Sequence, residues 1–434
     1  MFTPRPVFSC KLSHRPLRVR NPARPAERLL SLQRKPRLTL ASTAIPPNHL
    51  YPWKRNMSTP AGQQPPRKPL DKPAVPRPSA SVLLISPTNQ ILLLHRVSNA
   101  STFASAHVFP GGALSKTHDG EIPYPDEPGR HQDGPAYRMA AIRETFEECG
   151  ILLAKSKKTG KLFTKISDQE REQGRKDVHS GKIKFGDLLE KWDAVPDTES
   201  LVPFTRWVTP MDTVRSPGRR FTTQMYLYFL PLGSVSPTKH AAQHAPASAD
   251  LEGDAIMIPK PTHDGGIEHT AARFLPPNKW LDLARQNKIL LVFPQFFLMS
   301  LISPYLAATV TSASSPTPSP SELQAERDAF FEFLQKPRMY NGKPEPSFAE
   351  ACISPVVIDK GLVEKSKLDA IGGVAKNTIV LTMDHPGKEV EEQGYGRRGI
   401  REWVMTGKLT NEGPTEVNIW RRDELLGNRI QEKL

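Results

Sequence analysis

Residues 135–151 read PAYRMAAIRETFEECGI, and the fold is decided here. Gly134-Pro135 opens a helix, since proline lacks only an N–H that the first turn leaves unused, and Gly150 closes it. Met139, Ile142 and Phe146 fall on one apolar face, so the helix docks on a core. Glu147 and Glu148 stand three and four positions after Glu144, which places three carboxylates together, with Arg143 one turn before Glu147. Like charges so placed make each other's ionisation harder. A surface helix gains nothing from this, whereas a hard divalent cation gains several oxygen ligands.

Working outward, SVLLIS (81–86), the turn PTNQ and ILLLHR (91–96) predict a hairpin of two apolar strands. A Ser/Ala/Gly-rich loop runs to Phe109-Pro110-Gly111-Gly112, and the polar stretch 115–134 is expected to be irregular. Downstream, 167–192 reads as helical, with Phe185, Leu188, Leu189 and Trp192 inward. Strands are expected at 201–209, 220–230, 254–259 and 270–275, with loop at 233–250. Helices are expected at 278–288, in the apolar run from Ile289, and at 321–335. Residues 312–321 (SASSPTPSPS) read as a linker, and a terminal strand pair closes the chain.

The 434 residues carry 59 Lys+Arg and 45 Asp+Glu, a formal charge of +14. Residues 1–80 hold 16 basic and two acidic side chains (Glu27 and Asp71), so the whole excess lies there. That segment also has 16 of the 44 prolines, which fits a disordered basic arm and linker. Arg-rich, Ser-containing and almost acid-free, it predicts a mitochondrial presequence, with Met57 as a second start for an untargeted form. Peroxisomal or cytoplasmic residence is the alternative, since the terminal Gln-Glu-Lys-Leu only partly matches a peroxisomal address. Cys10, Cys149 and Cys352 make no disulfide or zinc spacing. The apolar run 289–302 is short for a membrane span and is interrupted by Pro294 and Gln295. Collagen-like, disulfide-rich and polytopic membrane classes are thereby excluded, and no specific nucleic-acid partner is expected.

The text Arg143-Glu144-Thr145-Phe146-Glu147-Glu148-Cys149-Gly150-Ile151, preceded by Gly112, resembles the Nudix box of Nudix hydrolases. The resemblance implies an α/β fold, an α/β/α sandwich with a mixed sheet. It implies a catalytic helix bearing Arg143, Glu144, Glu147 and Glu148, with Glu144, Glu147, Glu148 and the Gly112 carbonyl as ligands of Mg2+ or Mn2+. The sequence departs from the pattern in three places. Residues 113–142 expand the connecting loop, Thr145 replaces an aliphatic, and the loop glutamate has only Glu121, Glu127 and Asp133 as candidates.

Leu92–Arg96 and Phe109–Gly112, with 204–210, 219–231 and 293–302, are similar to the peroxisomal and mitochondrial coenzyme A diphosphatases of the moiety X motif 19 kind. The second arginine and inner glycine of that pattern fall on Ser101 and Ser105. The resemblance spans roughly residues 81–304, flanked by the basic arm (1–80) and an extension (305–434) to which no role is assigned. It implies a small nucleotide substrate, CoA or acyl-CoA, cut at its phosphoanhydride. Arg96, Phe109, Gly111, Gly112, Arg219 and Arg220 are the substrate-binding candidates, and Glu268 is the candidate general base. Pyrophosphatases for ADP-ribose, NADH or dinucleoside polyphosphates, and a non-catalytic nucleotide- or RNA-binding Nudix module, are the alternatives. Oligomeric state is not readable.

Overall fold

The computed structural model describes residues 74–98, 104–211, 220–233, 261, 262, 264, 268–306, 318–363, 365–367 and 377–427. The basic arm up to residue 73, Arg219, the expected strand at 254–259 and the C-terminal tetrapeptide lie outside the described residues.

Strand β1 (Arg77–Ile85) and β2 (Ile91–Arg96) are the expected hairpin, with β1 starting four residues early. Its first residues have partners on both sides: β4 (Gly111–Ala113) antiparallel and β8 (Phe221–Phe229) parallel. β1 touches β2 only at Ile85↔Ile91, which leaves its first half free for the Gly-Gly turn. β3 (His107–Val108) pairs with the end of β2.

Helix α1 (Pro135–Cys149) follows a connection whose only regular part among the described residues is a 3-10 turn at Pro128–His131. Gly150 ends α1 at φ 76°, left-handed, and its N–H returns to Phe146 O. Next come β5 (Ala154–Ser156), α2 (Asp168–His179), α3 (Phe185–Lys191) and β6 (Ala194–Pro196). The expected helical stretch is thus two helices, the first opened by a Ser167–Glu170 capping box. β7 (Val202–Val208) pairs with β8, and β9 (His269–Leu275) pairs with β2. Helices α4 (Pro277–Arg285), α5 (Phe293–Ile302) and α6 (Pro320–Gln335) complete the middle of the chain.

Strand alternation divides the core. Val82, Leu84, Leu92 and Leu94 point to the cluster under α1 and α3, and Leu83, Ile85, Ile91 and Leu93 to a second cluster with α4, α5 and α6. Both faces of these strands are buried, which explains their unbroken apolar text. The result is the α/β/α sandwich with a mixed sheet.

The extension is part of this unit. After a small hairpin, β10 (Met339–Tyr340) and β11 (Lys343–Pro344), comes β12 (Cys352–Ile353), which adds a parallel edge to β7. The sheet then runs β12-β7-β8-β1-β2-β3, eight strands with β4 and β9 among the described residues. β13 (Val356–Ile358), β14 (Thr378–Met383), α7 (Lys388–Glu392), β15 (Ile400–Leu409), β16 (Pro414–Arg421) and α8 (Arg422–Leu426) follow, and β13-β14-β15-β16 make a separate antiparallel sheet. Leu306, Phe330, Ile353, Leu381, Ile400 and Met405 all lie in the second cluster. The core therefore runs past residue 304, and the chain beyond it supplies apolar surface that the sandwich buries.

Candidate active site

Docking of α1 through Ala140, Ile142 and Phe146, all fully buried, fixes its acidic face against β4. Thr145 is buried too, and its hydroxyl donates to Ala141 O at 2.7 Å, which lets it occupy an apolar position. Gly111 and Gly112 are required by close approach. A Cβ on Gly111 would stand 2.3 Å from Ala80 O, and one on Gly112 would stand 2.5–2.7 Å from the Glu144 carboxyl atoms.

The structure brings Glu144, Glu147 and Glu148 together around Arg143. The guanidinium donates to Glu144 Oε1 at 2.8 Å and to Glu147 Oε1 at 2.9 Å. Its other side makes two bonds of 2.8 Å to Asp119, whose side chain is fully buried. Glu148 Oε2 accepts the Gly111 N–H at 2.8 Å. Glu147 is turned away from the glycines, with His179 Nδ1 3.3 Å from its Oε2. Arg175 of α2 donates to Glu147 O and caps the end of the helix.

Burial raises the pKa of Glu144, and Glu147 adds to the rise while Arg143 opposes it. Burial and the neighbouring Glu144 raise Glu148 well above the ordinary range, against the Gly111 hydrogen bond. Burial works against the charge of Arg143, but Asp119 and Glu144 outweigh it and hold its pKa high. These carboxylates also crowd the C-terminal half of α1, where the helix dipole disfavours negative charge.

Asp119 was not among the expected residues. Glu121 is exposed, Glu127 accepts Tyr124 N–H, and Asp133 is bonded to Arg138 and Tyr226, so none of the three reaches Arg143. Asp119 is fixed by Ser115 N–H, which donates to it at 2.7 Å. The available signal was a carboxylate seven residues after Gly112, followed by a glycine.

Other expectations are redistributed. Arg96 pairs with Glu268 at 3.2 Å, and both charges act on Glu148, so these two candidates do border the acidic face. Arg96 Nε is buried without a partner. Phe109 is corrected: it is buried in the second cluster, on the far face of the sheet from α1. Arg220 is corrected as well. It is buried, donates to Thr209 O and Ala74 O at 3.0 Å each, and pairs with Glu389. Its Nε and Nη1 are thus engaged within the protein.

Among the described residues, no three Asp, Glu, His or Cys side chains are placed to hold a metal ion by themselves. Mg2+ needs fewer, since it is commonly held by one or two carboxylates plus waters and substrate phosphates. Glu144 and Glu148 fit that need: both are hard oxygen donors, Glu148 buried and Glu144 partly exposed, and burial raises the pKa of each.

Residues 130–245 match the family model of the NUDT19 Nudix domain. Over 179 residues the chain is 29% identical to the acyl-coenzyme A diphosphatase NUDT19 of Gallus gallus, covering 32% of this chain and 47% of that protein. Over 152 residues it is 30% identical to the putative nudix hydrolase 7 of Caenorhabditis elegans, covering 35% and 43%. It thus spans less than half the length of these curated relatives. A crystal structure of a NUDIX hydrolase from Alicyclobacillus acidocaldarius superposes with a TM-score of 0.38 at 20% identity, covering 57% of this chain and 99% of that one. Nudix hydrolases generally use divalent metal ions. With the box geometry above and the family-model match, residues 130–245 carry a Nudix domain of the NUDT19 type.

Proposed function

We propose that this protein is a divalent-metal-dependent pyrophosphohydrolase that cuts the phosphoanhydride of CoA or acyl-CoA, giving 3′,5′-ADP and (acyl-)4′-phosphopantetheine. The observation that carries the reading is the buried acidic face of α1, closed against Gly111-Gly112 with Glu144 and Glu148 raised in pKa. The named activity of the chicken relative supports the choice of substrate.

Glu144 and Glu148, with the main chain at Gly112, hold Mg2+ or Mn2+ in this reading. When bound, the ion neutralises the pyrophosphate and lowers the pKa of the attacking water. Arg143, locked by Asp119, orients Glu144 and Glu147 and thereby sets the ligand positions. Arg96, whose side chain is 18% exposed, contacts a substrate phosphate through its guanidinium, since guanidinium geometry suits phosphate oxygens. Glu268, its side chain 47% exposed, accepts a proton from water, and its pairing with Arg96 sets its position. The chemistry is mostly positioning and electrostatics.

The test is hydrolysis of CoA, an acyl-CoA, ADP-ribose, NADH and a dinucleoside polyphosphate with Mg2+ or Mn2+, with products identified by mass. The expected result is a kcat/KM for CoA or acyl-CoA above all the others. Equal or faster turnover of ADP-ribose would overturn the substrate assignment, and no turnover of any of the five would overturn the enzymatic reading.

A further inference from the structure

His269 is fully buried, and neither ring nitrogen has a hydrogen-bond partner. Buried polar groups are almost always satisfied, so this one calls for an explanation. It is the first residue of β9, whose backbone pairs with Arg96 at the end of β2. At one edge of the ring, Nδ1 stands 3.4 Å from Asp264 Oδ2. That carboxylate is itself fixed, because the main-chain N–H groups of Glu268 and His269 donate to it. At the other edge, Nε2 stands 3.7 Å from Glu148 Oε1. The remaining Glu148 oxygen is the one held by Gly111 N–H at 2.8 Å.

We propose that His269 is a positioning residue for Glu148, its Nε2–H donating to Oε1 while Gly111 N–H holds Oε2. The inference rests on the metal-dependent reading above. In the free protein the contact is slightly longer than a hydrogen bond, as is common for polar contacts that tighten only in the loaded site. A carboxylate held at both oxygens keeps one rotamer and still has lone pairs for a cation. Contacts of this outer kind change metal affinity or activity by about 10–100-fold when removed.

Two substitutions separate positioning from mere packing. Gln carries its amide nitrogen as many bonds from Cβ as Nε2, and Asn carries it one bond short, at the place of Nδ1. Mn2+ binding to the full chain without substrate is measured by calorimetry, and melting temperature by scanning. His269→Asn is expected to weaken Mn2+ binding about tenfold or more, and His269→Gln to restore it to within about threefold. Asn binding Mn2+ as tightly as the native residue, or Asn and Gln weakened alike, would overturn the proposal.

A second arm needs no metal. In protein labelled with 15N at histidine, the Nε2 resonance of His269 is expected to shift in Glu148→Gln, and an unmoved resonance would overturn the contact. If Glu148→Gln leaves Mn2+ binding unchanged, the metal reading fails, and the resonance still decides whether His269 holds Glu148.

Discussion

The two ends of α1 each carry buried charge of the sign that the helix dipole disfavours, and they resolve it in opposite ways. At the N-terminal end, Arg206 is fully buried and stacks over Tyr137, with Arg130, Arg397 and His131 nearby. Arg206 donates to Gln132 O, Thr222 and Gln224, Arg397 to His131 O and Glu350 O, and Arg130 to Pro123 O and Pro76 O. These cations are held by main-chain, amide and hydroxyl oxygens, with the Nε of Arg206 and of Arg130 left without a partner. At the C-terminal end, Glu144 and Glu147 share Arg143 while Glu148 has the Gly111 N–H, and burial with mutual repulsion raises the pKa of Glu144 and Glu148. A carboxylate left short of positive charge is open to a cation, whereas a guanidinium fully buried among carbonyls, as Arg206 is, lies beyond an anion's reach. In the function proposed above, one end is structure and the other is the site.

The contrast can be broken most directly at the acidic end. Glu148→Gln keeps size and the Gly111 hydrogen bond but removes the charge, and kcat is expected to fall about 10³-fold, roughly 4 kcal/mol of transition-state stabilisation. A kcat within tenfold of the native value would remove Glu148 from the site.

Asp119→Asn disrupts both. It leaves Arg143 short of a buried partner, and chemical denaturation should show a loss of about 3 kcal/mol. Because Arg143 then leans toward Glu144 and Glu147, kcat should fall as well, while a stability loss with unchanged kcat would confine Asp119 to folding.

The cationic end has a pH signature of its own. Burial, then Arg206, lowers His131 to about 4 from 6.5. Between those values the unfolded chain binds the proton and the folded protein does not. The stability is therefore full above pH 6.5 and is lost as pH falls toward 4, by up to about 3 kcal/mol. Urea unfolding at pH 7 and 5 should show the loss in the native protein and much less in His131→Gln, and equal losses in both would remove His131 as the source. The smallest effect is expected of Glu389→Gln, which weakens the pair with Arg220 by about 1–2 kcal/mol. It should leave kcat within twofold if this end is structural only.

How much of this was legible follows from locality. The caps of α1, the apolar strands β1, β2, β7 and β8, and the spacing of Glu144, Glu147 and Glu148 are set within a few residues, and sequence finds them. Asp119 sits in a loop with no periodicity, 24 residues before Arg143, so only the fold shows the pair. Phe109 belongs to a substrate-like motif, but its place in the fold sends it to the far cluster. Arg220 meets a glutamate 169 residues later, and β12 is two residues long, so neither leaves a local trace. For the same reason the part played by the chain beyond residue 304 in completing the core could not be read in advance.

In the proposed function, phosphoanhydride cleavage depends on a divalent cation held at the acidic end of α1. It is tested most directly by titrating Mg2+ into CoA hydrolysis by the native chain and by Glu144→Gln/Glu148→Gln, with melting temperatures measured alongside. The account predicts saturable activation by Mg2+ in the native chain and, in a folded double variant, turnover reduced by at least about 10³-fold at every Mg2+ concentration. A double variant that folds and hydrolyses CoA at a native, Mg2+-activated rate would contradict it.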